Sequence, residues 1–342
     1  MSADTDPPRL GYACINTRLR EQGIHNSRSA IQDTIRKKRA AGVRHLQQLA
    51  LSNIRDLLAI LQWNERAGIR LFRVSSNLFP HMGNAMSSHA YYHGDIDFAR
   101  EALRAVGDFA RAHNHRLTFH SQPFTQLGTP DAAVLARSVF DLRMYAEIIH
   151  AMGLQNHDAC VILHGGGVYA DAVPAAQRAE ARRSAKRDTL QRWVANYQRL
   201  PARVRRFIVL ENDEWHYGVA DLLPLCERHT IPMVFDAFHN AISAESVPVT
   251  PQLLQRITRV WHAAGYRRAK FHVSEQDPKL RFGSHAAMVK ALPEYLLRAG
   301  YDIMIEAKNK ERAVERLLRQ YFEKTIVHDA AGKARCEWRL RA

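Results

Sequence analysis

The sequence predicts an α/β fold, a single-domain (β/α)8 TIM barrel, and three observations predict it. Apolar runs of about four to eight residues alternate with longer segments of helical period, the pattern of repeated βα units feeding a parallel sheet. Eight such units can be counted along the 342 residues, and eight successive units close into a barrel more often than they spread into an open doubly wound sheet. Most of the runs end on His, Asp or Glu where a loop should begin, so their polar ends would converge at one end of a barrel.

The elements follow in order. Strands are expected at residues 10–15, 69–75, 116–120, 160–164, 207–211, 231–236, 269–272 and 302–306, each a short apolar run bounded by loop residues. The clearest helices are expected at 54–67, 96–113, 131–152, 179–200, 251–264 and 285–299. Gly68, Gly153, Gly265 and Gly300 each follow a helical stretch and precede a strand, as glycine does just past a helix C-terminus. Asp131 after Pro130 is a reasonable helix start, and Thr250 before Pro251 places an N-cap before a first-turn proline. Residues 23–46, which carry Arg36-Lys37-Lys38-Arg39, are long for a βα connection and read as a short helix over the barrel mouth. Residues 1–8 are expected to form a tail, 9–310 the catalytic barrel, and 311–342 a basic C-terminal helix and tail.

Composition narrows the class. Lys and Arg outnumber Asp and Glu by 49 to 34, a formal charge of +15, which points to a polyanionic partner such as nucleic acid or a charged membrane surface. Cys14, Cys160, Cys226 and Cys336 are far apart and form no C-x-x-C pair, so neither a disulfide framework nor a zinc finger is indicated. Residues 1–8 are acidic and Pro-containing, and no run of about 18 apolar residues occurs, so a soluble cytoplasmic protein with no membrane partner is expected. The P-loop, the dinucleotide fingerprint and H-E-x-x-H are absent, which leaves a nucleotide cofactor without support. His164-Gly165-Gly166-Gly167 resembles a lipase oxyanion loop, but there is no G-x-S-x-G elbow to accompany it.

Seven residues carry the chemical signal: His120, His164, Glu211, Asp236, His239, His272 and Glu306. Any one of the 18 histidines is by itself most simply a surface or hydrogen-bonded residue. A series at the same end of successive strands needs a common cause, and imidazole with carboxylate is the ligand set of zinc and manganese. Glu211 is the natural bridge, because a carboxylate can span two ions where imidazole cannot; it opens the acidic cluster Glu211-Asn212-Asp213-Glu214, whose repulsion a cation would relieve. Lys270 lies two residues before His272 and shares its face of the strand. Buried there, it must be neutral, be paired with an acid, or react with carbon dioxide to form an anionic carbamate. Tyr12, Phe79, Tyr91, Tyr92, Phe124, Trp215 and Tyr217 lie near strand ends where they could stack on bases, with core packing the default for Phe79 and Trp215.

The ordered combination of these pieces resembles the UV damage endonuclease family, metal-dependent relatives of the barrel-shaped apurinic endonucleases. The resemblance runs from Leu10 to about Lys310. It is carried by Leu10-Gly11-Tyr12-Ala13-Cys14 with Asn16, Phe72-Arg73-Val74-Ser75-Ser76 with Pro80 and Ser88-His89, and Leu163-His164 with its glycines. It continues through Leu210-Glu211-Asn212-Asp213-Glu214, Asp236 with His239, Lys270-Phe271-His272 with Gln276-Asp277-Pro278, Gly283-Ser284-His285, and Glu306-Ala307-Lys308. The resemblance implies a DNA repair endonuclease that binds damaged double-stranded DNA, flips out the lesion and cuts the phosphodiester bond immediately 5′ to it. It implies three divalent ions, manganese foremost, with zinc, cobalt or magnesium as other candidates. His120, His164 and Glu211 would hold one ion; Glu211, Asp236, His272 and Glu306 a second; His239, His285 and a carbamylated Lys270 the third. Glu211, Lys270 and His89 are the catalytic candidates, and Tyr12, Asn16, Gln122 and Phe124 the contacts to DNA. One departure stands out: the family's His-Pro-x-Gln-aromatic loop reads His120-Ser121-Gln122-Pro123-Phe124 here, which puts the range of lesions in question. Rival readings are an abasic-site endonuclease or sugar isomerase on the same barrel, and a damage-binding protein without turnover.

Overall fold

The computed structural model describes residues 7–82, 96–170, 174–297, 300–328 and 334–341. The eight apolar runs pair side by side in chain order: β1 (Arg9–Ala13), β2 (Leu71–Arg73), β3 (Arg116–His120), β4 (Ala159–His164), β5 (Ile208–Glu211), β6 (Met233–Asp236), β7 (Lys270–Val273) and β8 (Asp302–Ile305). All neighbours are parallel, and β8 returns to β1 to close the barrel. The predicted TIM barrel is therefore the fold. Around it run α1 (Thr17–Glu21), α2 (Gln32–Ala67), α3 (Arg100–Ala112), α4 (Ala132–Ala151), α5 (Arg178–Arg199), α6 (Ala202–Arg205), α7 (Val219–His229), α8 (Ala237–Ile242), α9 (Pro251–Ala263), α10 (Glu294–Leu297) and α11 (Lys310–Tyr321).

The expected caps form. The Asp131 side chain accepts from the backbone N–H of Ala133 and Val134, and Thr250 Oγ1 accepts from Leu253 N–H with Pro251 in the first turn. Gly68, Gly153 and Gly265 take positive φ at helix ends. Inside the barrel, Ala13, Leu71 and Met304 make a small apolar cluster of their own. A Cβ on Gly11 would collide with the Leu71 carbonyl, so only glycine lets β1 and β2 approach as they do.

A buried ion network seals the other end of the barrel. Asp302, Arg9 and Arg116 stand first on β8, β1 and β3. Asp302 is fully buried, accepting from Arg9 Nε at 2.6 Å, Arg9 Nη2 at 2.9 Å and Arg116 Nη1 at 2.6 Å. Burial would raise its pKa, but Arg9 and Arg116 outweigh burial and hold the carboxyl well below the usual range. The Arg116 guanidinium lies 5.0 Å from the Trp261 ring centroid and 5.3 Å from that of Tyr266, which adds cation–π attraction to the pair.

Three expectations are corrected. Residues 23–46 and 54–67 do not hold two short helices; one 36-residue helix, α2, runs from Gln32 to Ala67. Residues 285–299 are not one helix. Pro293 removes a donor, and the backbone N–H groups of Ala286 and Lys290 bond instead to the carbonyl and side chain of Glu275. Among the described residues there, only Glu294–Leu297 is helical. Of the basic helix and tail expected over 311–342, the helix forms and the tail does not. The α11 helix is the eighth barrel helix and buries Ala313, Val314, Leu317 and Leu318. The chain then forms an antiparallel hairpin, β9 (Phe322–His328) and β10 (Ala334–Leu340). The hairpin packs on the end of α2, where Trp338 Nε1 donates to Ala67 O at 2.8 Å and Arg70 Nη2 to Cys336 O at 2.8 Å.

Two stability predictions follow from the ion pairs. Asp302→Ala leaves Arg9 and Arg116 uncompensated in a buried site and should cost roughly 3–5 kcal/mol, read as a lower midpoint in urea unfolding. An unchanged midpoint would show that the floor network does not hold the barrel. The Glu65 carboxyl is pushed up by burial, but its bonds from His115 and Arg70 prevail and lower it from 4.5 to about 2. A folded pKa below the unfolded one means that the unfolded chain binds more protons. Stability from Glu65 is thus complete above about pH 4.5 and is lost as pH falls towards 2. Glu65→Gln should flatten that part of the acid-unfolding curve while lowering stability at neutral pH.

Candidate metal centre

The strand ends bring six of the seven predicted residues to one place, and a short helix brings the seventh. His164 pairs in register with Glu211 across β4 and β5, and Asp236 with His272 across β6 and β7. His120 ends β3, and Glu306 continues β8, its N–H bonded to Val273 O at 2.9 Å. His239 stands on α8, whose N-cap is Asp236; the Asp236 carboxylate accepts from His239 N–H at 2.8 Å. His285 reaches the site from the loop after β7, where it bridges antiparallel to Gln276.

Glu211 is the hub. Its Oε2 lies 3.0 Å from His120 Nε2 and 3.7 Å from His164 Nε2, and its Oε1 lies 2.5 Å from His272 Nδ1. His272 Nδ1 is also 3.2 Å from Glu306 Oε1 and 3.9 Å from Asp236 Oδ2. Three groups of potential ligand atoms result: His120, His164 and Glu211; Glu211, Asp236 and His239; Glu211, His272 and Glu306. Each group has its donors within 4.8 Å of one another, and Glu211 is common to all three. This partition differs from the one that the resemblance implies, because His239 falls in with Asp236 and Glu211. His285 Nδ1 lies 3.7 Å from Glu306 Oε2 but completes no such group among the described residues.

The donor set fits divalent cations. Imidazoles and carboxylates meet without a thiolate, as suits manganese, zinc or cobalt. Asp236 Oδ2 is buried in the cluster without a hydrogen-bond partner among the described residues, an arrangement that an ion at the site would relieve. The ring orientations agree. His120 Nδ1 lies 2.9 Å from Ser121 O, and His239 Nδ1 3.0 Å from Asn212 O. A proton on Nδ1 leaves Nε2 bare for a ligand.

The carboxyl groups are not electrostatically alike. Burial pushes Glu211 up, but the charges of His272 and His164 and the hydrogen bond from His120 overcome it and hold the group well below its ordinary value. Burial acts likewise on Glu306, where Arg73 and His272 prevail and lower the pKa. At Asp236 burial wins, and the carboxyl rises to about 7 despite His239. His239 is driven up to about 9 because Asp236, Glu211 and Glu214 together outweigh its burial. Burial lowers His272 to about 4. Lys270, wholly buried, is brought down to about 8 chiefly by desolvation, and its Nζ faces His272 Nε2.

Arg73 was not among the candidate site residues, although it lies in the barrel and its Nη1 pairs with Glu306 Oε1. A charged residue ending an apolar strand was the available signal. Asn212 was also passed over; its side chain bridges the Asp236 backbone, donating to Asp236 O at 3.0 Å and accepting from Asp236 N–H at 2.9 Å. Of the expected acidic cluster, Asp213 instead ties its loop by accepting from the N–H of Trp215, His216 and Tyr217.

Tyr12 and Asn16, expected to touch DNA, are buried. Tyr12 OH donates to Asn64 Oδ1 at 2.6 Å and accepts from Asn16 Nδ2 at 2.9 Å, while Asn16 Oδ1 caps α1. Their hydrogen bonds are spent within the fold. Phe79 and Tyr217 are likewise core residues. Phe124 is 80% exposed, and with Gln122 it borders a cavity of ≈ 370 Å³ that is also lined by Asn77, Thr125 and Asp141. Trp215, expected in the core, is 60% exposed. His89, Tyr91 and Tyr92 lie outside the described residues.

The sequence profile of the family described as UV-endonuclease UvdE matches residues 8–338. A provisionally named UV-damage endonuclease of Acanthamoeba polyphaga mimivirus is 38% identical over 322 residues, which cover 92% of each chain. The UV-damage endonuclease of Schizosaccharomyces pombe is 36% identical over 330 residues, covering 92% of this chain and 50% of the yeast protein. This chain thus spans about half the length of that relative. Among solved structures, SacUVDE superposes with a TM-score of 0.76 at 24% identity, over 92% of this chain and 97% of its own, a likeness of fold. A profile match along almost the whole chain and a relative of equal extent place this protein in the UV-endonuclease UvdE family.

Proposed function

We propose that this protein is a DNA repair endonuclease that hydrolyses the phosphodiester bond immediately 5′ to a UV photolesion, at a centre of three divalent ions. One observation carries the reading: three ligand groups share the single buried carboxylate of Glu211. Divalent ions held there would activate water and neutralise charge on the phosphate and the leaving oxygen.

The chain's own groups do the rest. Glu211, low in pKa, is ionised at neutral pH and can offer both oxygens. Arg73 keeps Glu306 ionised and fixes one of its oxygens. Backbone carbonyls orient His120 and His239. Lys270 would join the ligands as a carbamate: its ammonium loses one proton, the free amine nitrogen bonds to the carbon of carbon dioxide, and a second proton leaves that nitrogen, so a buried cation becomes an anion. The +15 charge supports a DNA partner held through its phosphates, with affinity that falls as salt rises. Damaged bases stack and pair poorly, so flipping them costs less than flipping intact ones. Phe124 would wedge where they leave, a role that its exposure at the edge of the ≈ 370 Å³ cavity supports.

Glu211→Gln keeps the shape and removes the charge. Nicking of UV-irradiated plasmid should fall by at least about 10²–10³-fold, the loss typical of one group that stabilises a transition state, while circular dichroism stays unchanged. Full activity in the variant would end the bridging role. Dialysis against a chelator should abolish nicking, and added Mn²⁺ should restore it, with elemental analysis counting the ions retained. Comparison of irradiated, abasic and intact duplexes tests the lesion class; binding without scission in every metal would favour a protein that has lost turnover. Native mass spectrometry of Lys270→Ala against wild type should show one carbon dioxide fewer.

A further inference from the structure

We propose that Trp215 and Phe282 form a stacking platform for an unstacked nucleobase on the rim of the barrel, a contact that rests on the DNA-substrate reading above. Trp215 lies in the loop after β5 and Phe282 in the loop after β7. Their residues are 60% and 55% exposed, and their rings meet edge to face with centroids 5.5 Å apart at 69°. Single exposed aromatics are common on protein surfaces. A contacting pair drawn from two separate loops beside a ligand cluster is a different matter.

Both rings are held on anchored backbone. Asp213 accepts from Trp215 N–H at 2.8 Å and from Tyr217 N–H at 3.1 Å, and Arg182 Nη2 donates to Trp215 O at 2.5 Å. The Gln276 side chain clamps Phe282 on either side, donating to Arg281 O at 3.1 Å and accepting from Gly283 N–H at 2.8 Å. These polar ties hold each loop in a shape that turns an apolar ring towards water, which is unfavourable unless something covers the ring.

The platform is joined to the ligand cluster. Gly283 has φ +82°, and a Cβ there would lie 3.2 Å from Glu214 Oε1, so the two loops approach closely at this point. The other Glu214 oxygen lies 3.7 Å from His239 Nε2. One carboxylate therefore separates the aromatic pair from a candidate ligand. Arg182, which donates to Trp215 O, and Arg281, the chain neighbour of Phe282, are exposed, a cationic flank suited to the phosphates on either side of a base. An aromatic face beside positive charge fits a nucleotide better than a lipid tail or an apolar peptide, and stacking accepts any base, as lesion recognition requires.

The test uses the full chain with Trp215→Ala, Phe282→Ala and the conservative Trp215→Phe, assayed on irradiated duplex. Each alanine variant should raise KM roughly 5- to 100-fold, the range for loss of one base-stacking contact. Its kcat should stay within about threefold of wild type, as when binding common to ground and transition states is removed. Trp215→Phe should restore most of the affinity. A single-stranded oligonucleotide should quench the part of the tryptophan emission that Trp215→Phe lacks. Wild-type KM in both alanine variants, or equal quenching in wild type and Trp215→Phe, would overturn the platform. Failure of the wild-type protein to nick irradiated DNA would instead overturn the functional reading, and the quenching measurement would still decide the platform.

Discussion

Carboxylates buried inside a closed barrel cannot remain charged without positive partners, and the rest of this molecule is arranged around that constraint. Glu211 is 2% exposed and Asp236 fully buried, depths at which a lone carboxylate would take up a proton. Glu211 is kept ionised by imidazoles from β3, β4 and β7, and Glu306 by Arg73 from β2. Asp236 has the weakest support and is the one that burial drives up to about 7. The cluster is an acidic centre only partly neutralised by its own side chains, a setting that favours divalent cations.

The same constraint operates at the opposite end of the barrel with a different outcome. Asp302 is satisfied by two arginines, bidentate from Arg9 and single from Arg116. Each of its oxygens has a charged donor from within the chain. The two ends of the barrel thus separate stability from chemistry: paired charge closes the floor, and incompletely paired charge gathers at the strand C-termini. The Gly11 contact and the small Ala13, Leu71 and Met304 cluster fill the space between them.

Much of the site was legible in the sequence because successive apolar runs end alike. Parallel strands bring their ends to one face of a barrel, so His120, His164, Glu211, Asp236 and His272 could be assigned to one cluster from the ends of the runs. Lys270 followed from His272 because residues two apart share a face of a strand. His285 and Trp215 obey no such rule. The segment from His285 onward reads as helical by spacing, yet it takes its backbone partners from Glu275 and the loop after β8. Trp215 reads as a core residue by hydropathy and is turned outward because Asp213 ties the loop beneath it. Tyr12 and Asn16 fail in the opposite sense. Tyr12 lies in β1 and Asn16 caps α1, and Tyr12 bonds both to Asn16 and, across 52 residues of chain, to Asn64.

The sequence by itself determined the fold class, the order of the strands, the inward set of imidazoles and carboxylates, and the basic charge that points to a polyanion. These depend on local periodicity and composition, which are properties of the chain before it folds. Only the tertiary structure decided which donors group around Glu211, that Arg73 secures Glu306, that the C-terminal hairpin packs against the end of α2, and which aromatic rings face water. Those outcomes depend on distances between residues far apart in the chain, set by barrel closure and by loop hydrogen bonds that no short window of sequence contains.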